Sequence, residues 1–338
     1  MNPAPLQTEP PKADAPKPTR PTTILWQRFV LTAFKAASRG VQSLPRRSAL
    51  RMGAALGRTA YRVDKRRRHY ADRNLRLAYG DTLSPAEREA ITRATFAHWG
   101  TTVFEFLRTA ALGPEAMDAL VAGVEGWEHV VAAQSSSSGL IIVTGHLGNF
   151  EFLGRYMAAH GLPSTVIVRE PADPAFAAYL RGIREYGGNV ALGKGAASVR
   201  VLLSLLKKGQ TVTLGVDQSS GDLFVPFFGV PAGTVAGPAL LALRTGAPLL
   251  PAFCLLDPDD RYRLIFLPPI HANSTGDREA DTARTMTEVN AVLEGVVRRC
   301  PEQWLWIHNR WKSAFQEKNR SRWPEGADYE AALQRWNG

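Results

Sequence analysis

Residues 140–151 read LIIVTGHLGNFE, and this stretch decides the fold class of the chain. The run LIIVTG is apolar and β-branched, as in a buried strand, and the glycines on either side of HL allow a sharp bend after it. Asn149 is a candidate N-cap for the helix that follows, which places Glu151 in its first turn. Active sites in open α/β sheets gather where a strand ends and the next helix begins. We therefore predict a functional site around His146.

Short apolar runs alternate with helical patterns over the rest of the chain. The predicted strands are LIIVTG (140–145), TVIVR (165–169), TVTLGVD (211–217), PLLPAFCLL (248–256) and YRLIFLP (262–268). The predicted helices lie near residues 149–160, 173–186, 196–208 and 234–245. This alternation predicts an α/β fold.

The first third of the chain has a different pattern. Seven prolines fall within residues 1–21, which predicts a disordered tail without the features of a signal peptide. Ser84, Pro85 and Glu87 match the start of a capped helix, and the region around them is mostly α-helical. An apolar stripe, spaced alternately by four and three residues, runs along 24–44: Trp26, Val30, Ala33, Ala37, Val41 and Leu44. Polar residues interrupt it, so we expect a helix in the membrane interface rather than a span, with an ordinary surface helix as the alternative.

Basic residues are concentrated in the same region. Between residues 20 and 80 lie thirteen Arg and two Lys against two Asp, a net charge of +13, whereas the whole chain carries +10. This surplus favours an acidic partner. No aromatic platform or known binding motif accompanies the basic residues, so we expect anionic membrane lipid rather than nucleic acid. For the basic residues 65–68, the alternative is an ordinary solvent-exposed run of charges.

His146 and Glu151 supply the predicted chemistry. We expect the Glu151 carboxylate to hydrogen-bond one imidazole nitrogen, so that the other nitrogen accepts a proton as a general base. A purely structural pair is the alternative. No serine sits in a GxSxG elbow and neither cysteine lies at a strand-to-helix turn, so we expect direct attack by a substrate hydroxyl. Both cysteines, Cys254 and Cys300, fit buried positions in a reducing environment, and their spacing does not favour a structural zinc site.

Several separated blocks carry a resemblance to a known family: TGHLGNFE, VIVREP, VDQSSGDLFVPFFGVPAGT and QWLWIHNRWK. In this order they resemble the bacterial late acyltransferases of lipid A biosynthesis, and ADRNLRLAYGDTLSPAER is similar to that family's N-terminal region. The likeness extends from about Trp26 to Lys312. It implies a glycerolipid-acyltransferase-like mixed sheet flanked by helices, with an N-terminal helical membrane-binding region. It also implies acyl transfer from an acyl-carrier-protein or coenzyme A thioester.

The resemblance assigns roles to individual residues. His146 matches the family's catalytic base and Glu151 its acidic partner. Arg169 matches an arginine whose guanidinium suits holding a phosphate or stabilising the thioester oxyanion. The alternative for Arg169 is a surface pair with Glu170.

The remaining candidates are substrate-binding positions. Asp217 and Gln218 match the third block, at the end of a predicted strand, where we expect them to lie beside His146; an Asx-type turn is the alternative. Asn149 belongs to the block that contains His146.

The last two blocks supply aromatic and basic candidates. Phe227 and Phe228 belong to an aromatic cluster that lines an acyl-chain groove or, alternatively, the core. Arg310 and Lys312 are expected to meet an acceptor phosphate, while the tryptophans around them close the core.

The resemblance, taken with these residues, implies O-acylation of a lipid A precursor at the cytoplasmic face of the inner membrane, with no metal or redox cofactor. The expected partners are acyl-carrier protein or acyl-CoA, anionic membrane lipid and the lipid A precursor. Acylation of another polar lipid, such as a glycolipid or lysophospholipid, and a non-catalytic lipid-binding role are the alternatives. We divide the chain into a disordered tail (1–21), a membrane-associated helical region (22–83), an acyltransferase domain (84–318) and a C-terminal tail (319–338).

Overall fold

The computed structural model of the chain describes residues 21–134 and 138–337. The predicted Pro-rich tail therefore lies outside the described residues, except for Pro21, with which the first helix begins. The helices are α1 (Pro21–Ser43), α2 (Arg46–Val63), α3 (Lys65–Tyr79), α4 (Pro85–Thr109), α5 (Pro114–Asp118), α6 (Trp127–Gln134), α7 (Phe150–Ala159), α8 (Pro174–Arg184), α9 (Ala196–Lys207), α10 (Gly237–Thr245), α11 (Arg278–Arg299) and α12 (Tyr329–Asn337).

The strands form two sheets. They are β1 (Val121–Glu125), β2 (Leu140–Thr144), β3 (Ser164–Val168), β4 (Val190–Gly193), β5 (Thr211–Gly215), β6 (Leu223–Phe227), β7 (Val230–Thr234), β8 (Leu249–Leu256) and β9 (Tyr262–Phe266). The main sheet has seven strands in the order β1-β9-β8-β2-β5-β3-β4, and β6 pairs with β7 in a separate antiparallel hairpin. Every pair in the main sheet is parallel except β8 with β9. The predicted α/β fold with a mixed sheet is confirmed.

The central position of β2 explains why the site lies where it does. All five residues of β2 are buried, as its continuous apolar run predicts for a strand covered on both faces. Its parallel neighbour β5 ends level with it, since Thr144 pairs with Gly215. The residues that follow the two strands, His146 and Asp217, therefore emerge side by side at one edge of the sheet.

The N-terminal helices pack tightly on the rest of the fold. Ser84 and Glu87 form the predicted capping box at the start of α4. Glycines on α2 and α4 let their backbones meet: a Cβ at Gly57 would lie 2.0 Å from the carbonyl oxygen of Phe96. Among the described residues, every helix is too short or too polar to cross a membrane.

The segment predicted as a C-terminal tail, 319–338, contains a packed helix. Trp336 of α12 is buried, and the Arg73 guanidinium of α3 lies 3.4 Å from the centroid of its ring. Both cysteines are buried as predicted. Burial raises the pKa of both thiols, that of Cys300 to about 12.

Candidate active site

The loop after β2 is held against two other segments by its backbone. The Gly148 amide donates to the Gln303 carbonyl at 3.0 Å, and the Leu305 amide donates to the His146 carbonyl at 3.1 Å. Gly148 has a φ of +59°, and a Cβ there would lie 2.0 Å from the Cys254 carbonyl oxygen. This close approach to β8 requires glycine, and it fixes the position of His146.

Asp217 is the carboxylate that contacts the imidazole. Its Oδ1 lies 2.8 Å from His146 Nδ1, and its Oδ2 accepts a 2.6 Å hydrogen bond from the His146 backbone amide. The Trp304 indole donates to the same Oδ2 at 3.0 Å. Asp217 is 2% exposed and His146 is 24% exposed, so the carboxylate is buried while the imidazole remains accessible.

His146 and Asp217 shift each other's pKa. Burial lowers the pKa of His146, but the charge and hydrogen bond of Asp217 outweigh it and raise the net pKa above the ordinary value. Burial alone would raise the pKa of Asp217, yet the His146 charge and the surrounding donors hold it well below its usual range. An ionised Asp217 therefore fixes the tautomer with the proton on Nδ1 and leaves Nε2 as the basic nitrogen.

Nε2 faces the exposed side of the site. The Gln218 amide nitrogen lies 3.3 Å from it. The rings of Phe150 and Trp99 flank the imidazole, with centroids 4.9 Å and 6.4 Å away. A polar group and apolar walls thus surround the nitrogen that is free to accept a proton.

Glu151 lies in the first turn of α7, as predicted, but its partner differs from the predicted one. It accepts two hydrogen bonds from Arg184 Nε, at 3.0 and 3.1 Å, and one from Nη2 at 2.6 Å. The expected hydrogen bond to the imidazole is therefore corrected: Asp217 occupies that position. Glu151 acts on His146 through its charge, which adds a smaller upward contribution to the pKa of His146.

Asn149 is the N-cap of α7, as predicted, and its burial contradicts a substrate-binding role. Its Oδ1 accepts from the Phe152 amide at 3.0 Å, and its Nδ2 donates to Tyr262 Oη at 2.8 Å. The Tyr262 hydroxyl in turn donates to the buried Glu105 carboxylate at 2.9 Å, which also accepts from Arg46. Asn149 thus joins the loop after β2 to the N-terminal helices through a buried polar network.

Three other candidates also lie in the core. Arg310 is fully buried and donates to Gly233 and Thr234, so the expected contact with an acceptor phosphate is wrong. Burial lowers the pKa of Arg310 to about 10. Phe227 and Phe228 pack against buried tryptophans, which fits the core alternative rather than an acyl-chain groove.

Arg169 and Lys312 remain exposed. Arg169 follows β3, which the strand order places two strands from β2, with β5 between them. Glu170 pairs with Arg181 instead of Arg169. No described residue forms an ion pair with Arg169, and its positive charge contributes to lowering the pKa of His308.

Sequence reasoning missed the groups that support these residues. Trp304 was assigned to the core and is buried there, but its contact with Asp217 spans 87 residues of sequence. Arg184 lies 33 residues from Glu151. His98 of α4 lies 3.3 Å from the Gly148 carbonyl through its Nε2. Only the strand order and helix packing bring these distant residues together, and no local spacing signals them. Within the part of the chain that the structure describes, no group of three or more His, Cys, Asp or Glu is placed to hold a metal ion.

Comparison with known proteins identifies relatives of this chain. The family model described as bacterial lipid A biosynthesis acyltransferase matches residues 18–313. A lipid A biosynthesis lauroyltransferase of Escherichia coli K12 is 30% identical over 278 residues, covering 81% of this chain and 88% of the relative. A palmitoleoyltransferase of the same strain is 28% identical, covering 78% and 84%. A phosphatidylinositol mannoside acyltransferase of Mycobacterium tuberculosis is 29% identical over 136 residues, covering 39% and 43%.

Proposed function

Because the chain belongs to the bacterial lipid A biosynthesis acyltransferase family, we propose that it transfers a fatty acyl chain from an acyl-carrier-protein or CoA thioester to a hydroxyl of a lipid A precursor. The chain is an acyltransferase, as its family and relatives establish. The observation that carries the mechanism is the buried Asp217 on Nδ1 of His146, which leaves Nε2 accessible as a base.

The reaction proceeds by direct attack. His146 Nε2 takes the proton of the acceptor hydroxyl, and the oxygen adds to the thioester carbonyl carbon. The tetrahedral intermediate then expels the thiolate, and the imidazolium returns its proton to the sulfur. Asp217 stabilises the imidazolium that exists between these two transfers. Gln218, 3.3 Å from Nε2, occupies the place where the acceptor hydroxyl is expected to bind.

Arg169 is the candidate for stabilising negative charge in this reaction. It is exposed beyond the end of β3, and no described side chain pairs with it. A guanidinium there suits either the thioester oxyanion or a phosphate of the substrate. Steady-state kinetics of Arg169→Lys separate the two, since loss of oxyanion stabilisation lowers kcat and loss of substrate binding raises KM.

The N-terminal helices support attachment to a membrane surface. On α1, Trp26 and Phe29 are 64% and 63% exposed and their rings stack. On α2, Met52, Leu56 and Val63 are exposed and share one face of the helix. Exposed arginines lie along a neighbouring face of α2: Arg47, Arg51, Arg58 and Arg62. Apolar side chains beside cations suit the surface of an anionic bilayer, and we place the enzyme on the cytoplasmic face of the inner membrane.

The proposed activity is tested with purified protein, acyl-carrier-protein and CoA thioesters, and a lipid A precursor. We expect a new ester product by mass spectrometry with the wild type and none with His146→Ala. A matched control is His271→Ala, which removes an exposed imidazole far along the chain. Near wild-type turnover by His146→Ala would contradict the mechanism.

A second acceptor class is a different glycolipid. The similarity to the mycobacterial phosphatidylinositol mannoside acyltransferases favours it over a lysophospholipid. The same assay with a glycolipid acceptor distinguishes the two. A non-catalytic lipid-binding role is disfavoured because the site keeps its ordered imidazole and carboxylate.

A further inference from the structure

A polar cavity opens beside the candidate active site. It has a volume of about 850 Å³, within the range of small-molecule sites. Two chain segments and α3 form its walls: residues 219–221, residues 307–322 and the start of α3. The mechanism above assigns no role to this cavity.

The cavity is strongly basic. Five cationic side chains line it: Arg66, Arg67, Lys312, Lys318 and Arg322. One carboxylate, Asp64, lies among them, but it caps α3 and pairs with Arg67 at 2.5 Å. The lining residues therefore carry a large positive surplus that the cavity does not neutralise, which suits an anionic ligand.

Two of these cations are free to bind a ligand. Arg66 is held by Tyr70 and Arg322 donates to the Gly221 and Asp222 carbonyls. The ammonium groups of Lys312 and Lys318 make no hydrogen bond or ion pair with any residue that the structure describes. Both side chains are exposed to the cavity opening.

One wall of the cavity belongs to the chain segment that also contacts His146. Ser219 lines it and directly follows Gln218, whose amide lies 3.3 Å from His146 Nε2. The Ser219 amide donates to Nε2 of His308, another lining residue, at 3.1 Å. Burial lowers the pKa of His308, which favours the neutral imidazole that can accept this hydrogen bond. A ligand in the cavity therefore contacts the residue that directly follows Gln218, the neighbour of His146 Nε2.

We propose that this cavity binds a phosphate group on the sugar headgroup of the acceptor and so positions its hydroxyl at His146 Nε2. The inference rests on the proposed function, because it assumes a phosphorylated glycolipid acceptor. Its placement agrees with that function: α3 begins two residues after Val63, at the end of the face that is proposed to contact the membrane. A headgroup at the bilayer surface would lie next to the cationic residues that line the cavity, while its acyl chains remain in the lipid.

The test compares two double variants that remove the same charge. Lys312→Ala/Lys318→Ala removes the two free cations of the cavity, and Lys207→Ala/Lys208→Ala removes two exposed lysines near the end of α9. KM is measured for the phosphorylated acceptor, for the same acceptor after phosphatase treatment, and for the donor thioester.

We expect the cavity variant to raise KM for the phosphorylated acceptor by about tenfold or more, as loss of hydrogen bonds to a charged group does. KM for the donor and for the dephosphorylated acceptor should match the wild type, and the α9 variant should behave as wild type throughout. Inorganic phosphate should compete with the acceptor in the wild type and less well in the cavity variant.

Three results would overturn the inference. One is an unchanged KM for the phosphorylated acceptor. Another is an equal effect of both double variants, which would mean that the loss of any two positive charges weakens acceptor binding. A third is a raised KM for the donor alone, which assigns the cavity to a phosphate of the thioester carrier. If the wild type does not acylate this acceptor, the proposed function fails instead. Equilibrium dialysis with radiolabelled inorganic phosphate then still reports whether Lys312 and Lys318 bind an anion.

Discussion

The contact between Asp217 and His146 can be tested by removing one charge. Asp217→Asn keeps the shape of the side chain but loses the charge that supports the imidazolium. We expect kcat to fall by about 10²–10⁴-fold, as for a general base that loses its orienting carboxylate. Asp259→Asn, in an exposed turn, is the matched control.

The pH dependence of the same variant gives an independent readout. His146 must be unprotonated to act, so kcat/KM rises with pH through its pKa. In the wild type, the midpoint of this rise in kcat/KM lies above the ordinary histidine pKa of 6.5, because Asp217 raises the pKa of His146. In Asp217→Asn we expect this midpoint to shift to lower pH even as the rate falls. An unchanged midpoint would show that Asp217 does not affect the pKa of His146.

Glu151 is expected to matter less than Asp217. Glu151→Gln keeps a hydrogen-bond acceptor for Arg184 but removes a charge that raises the pKa of His146 only slightly. We expect a smaller loss of kcat than in Asp217→Asn and a small shift of the acid limb to lower pH. A double-mutant cycle with His146→Ala checks this result. A loss from Glu151→Gln as large as that from His146→Ala, with no further loss in the double variant, would restore Glu151 as part of one catalytic unit.

At the scale of elements, Gly148 links the catalytic loop to β8. Gly148→Ala places a Cβ 2.0 Å from the Cys254 carbonyl oxygen at a φ of +59°. We expect the free energy of unfolding to fall by at least about 1–3 kcal/mol, measured by urea denaturation. Gly154→Ala is the control, since a Cβ at this position of α7 meets no atom within 4 Å and should be neutral or stabilising. Equal stability of the two variants would contradict the tight contact.

The exposed face of α2 is the element proposed to contact lipid. Replacing Met52, Leu56 and Val63 together by Ser should weaken binding to anionic vesicles by at least about tenfold, because each side chain buries apolar area in the interface. Binding of the wild type should also weaken with added salt. Co-sedimentation with vesicles measures both effects.

A double variant on α9, Val199→Ser/Val201→Ser, removes exposed valines from another surface and should bind as the wild type does. Equal loss in both variants would contradict a specific face. Wild-type binding that resists both high salt and alkaline carbonate would contradict peripheral attachment.

The elements that local pattern predicts are those with continuous apolar runs. β2 was predicted within one residue because both of its faces are buried. The edge strands β1 and β4 were not predicted, since they are short and only partly buried. The β6-β7 hairpin was also missed. Pro226 and Pro231 pair across it, and proline within a run argues against a strand.

The same distinction applies to the site. His146 and Asp217 were both expected at strand ends on one edge of the sheet, but Asp217 was assigned to substrate binding and not to the imidazole that it contacts. The partner of Glu151 could not be predicted, because it depends on where α8 packs. Arg310 was misassigned because residue type alone does not reveal burial: a charge motif in sequence looks the same on a surface and in a core.

At the scale of the whole molecule, charge and chemistry occupy one region. The net charge of +13 between residues 20 and 80 includes both the arginines of α2 and the basic rim of the cavity on α3. In the proposed account, the lipid-contacting face of α2, the headgroup cavity and His146 serve one substrate. This account would explain the surplus of basic residues without nucleic acid as a partner.

The most direct test of the central claim is the lipid profile of a strain that lacks this gene. We expect mass spectrometry of total lipids to show a lipid A species that lacks one acyl chain. Wild-type protein and the Lys207→Ala/Lys208→Ala control should restore the missing chain, and His146→Ala should not. An unchanged lipid A profile with a missing acyl chain on another glycolipid, or restoration by His146→Ala, would contradict the account.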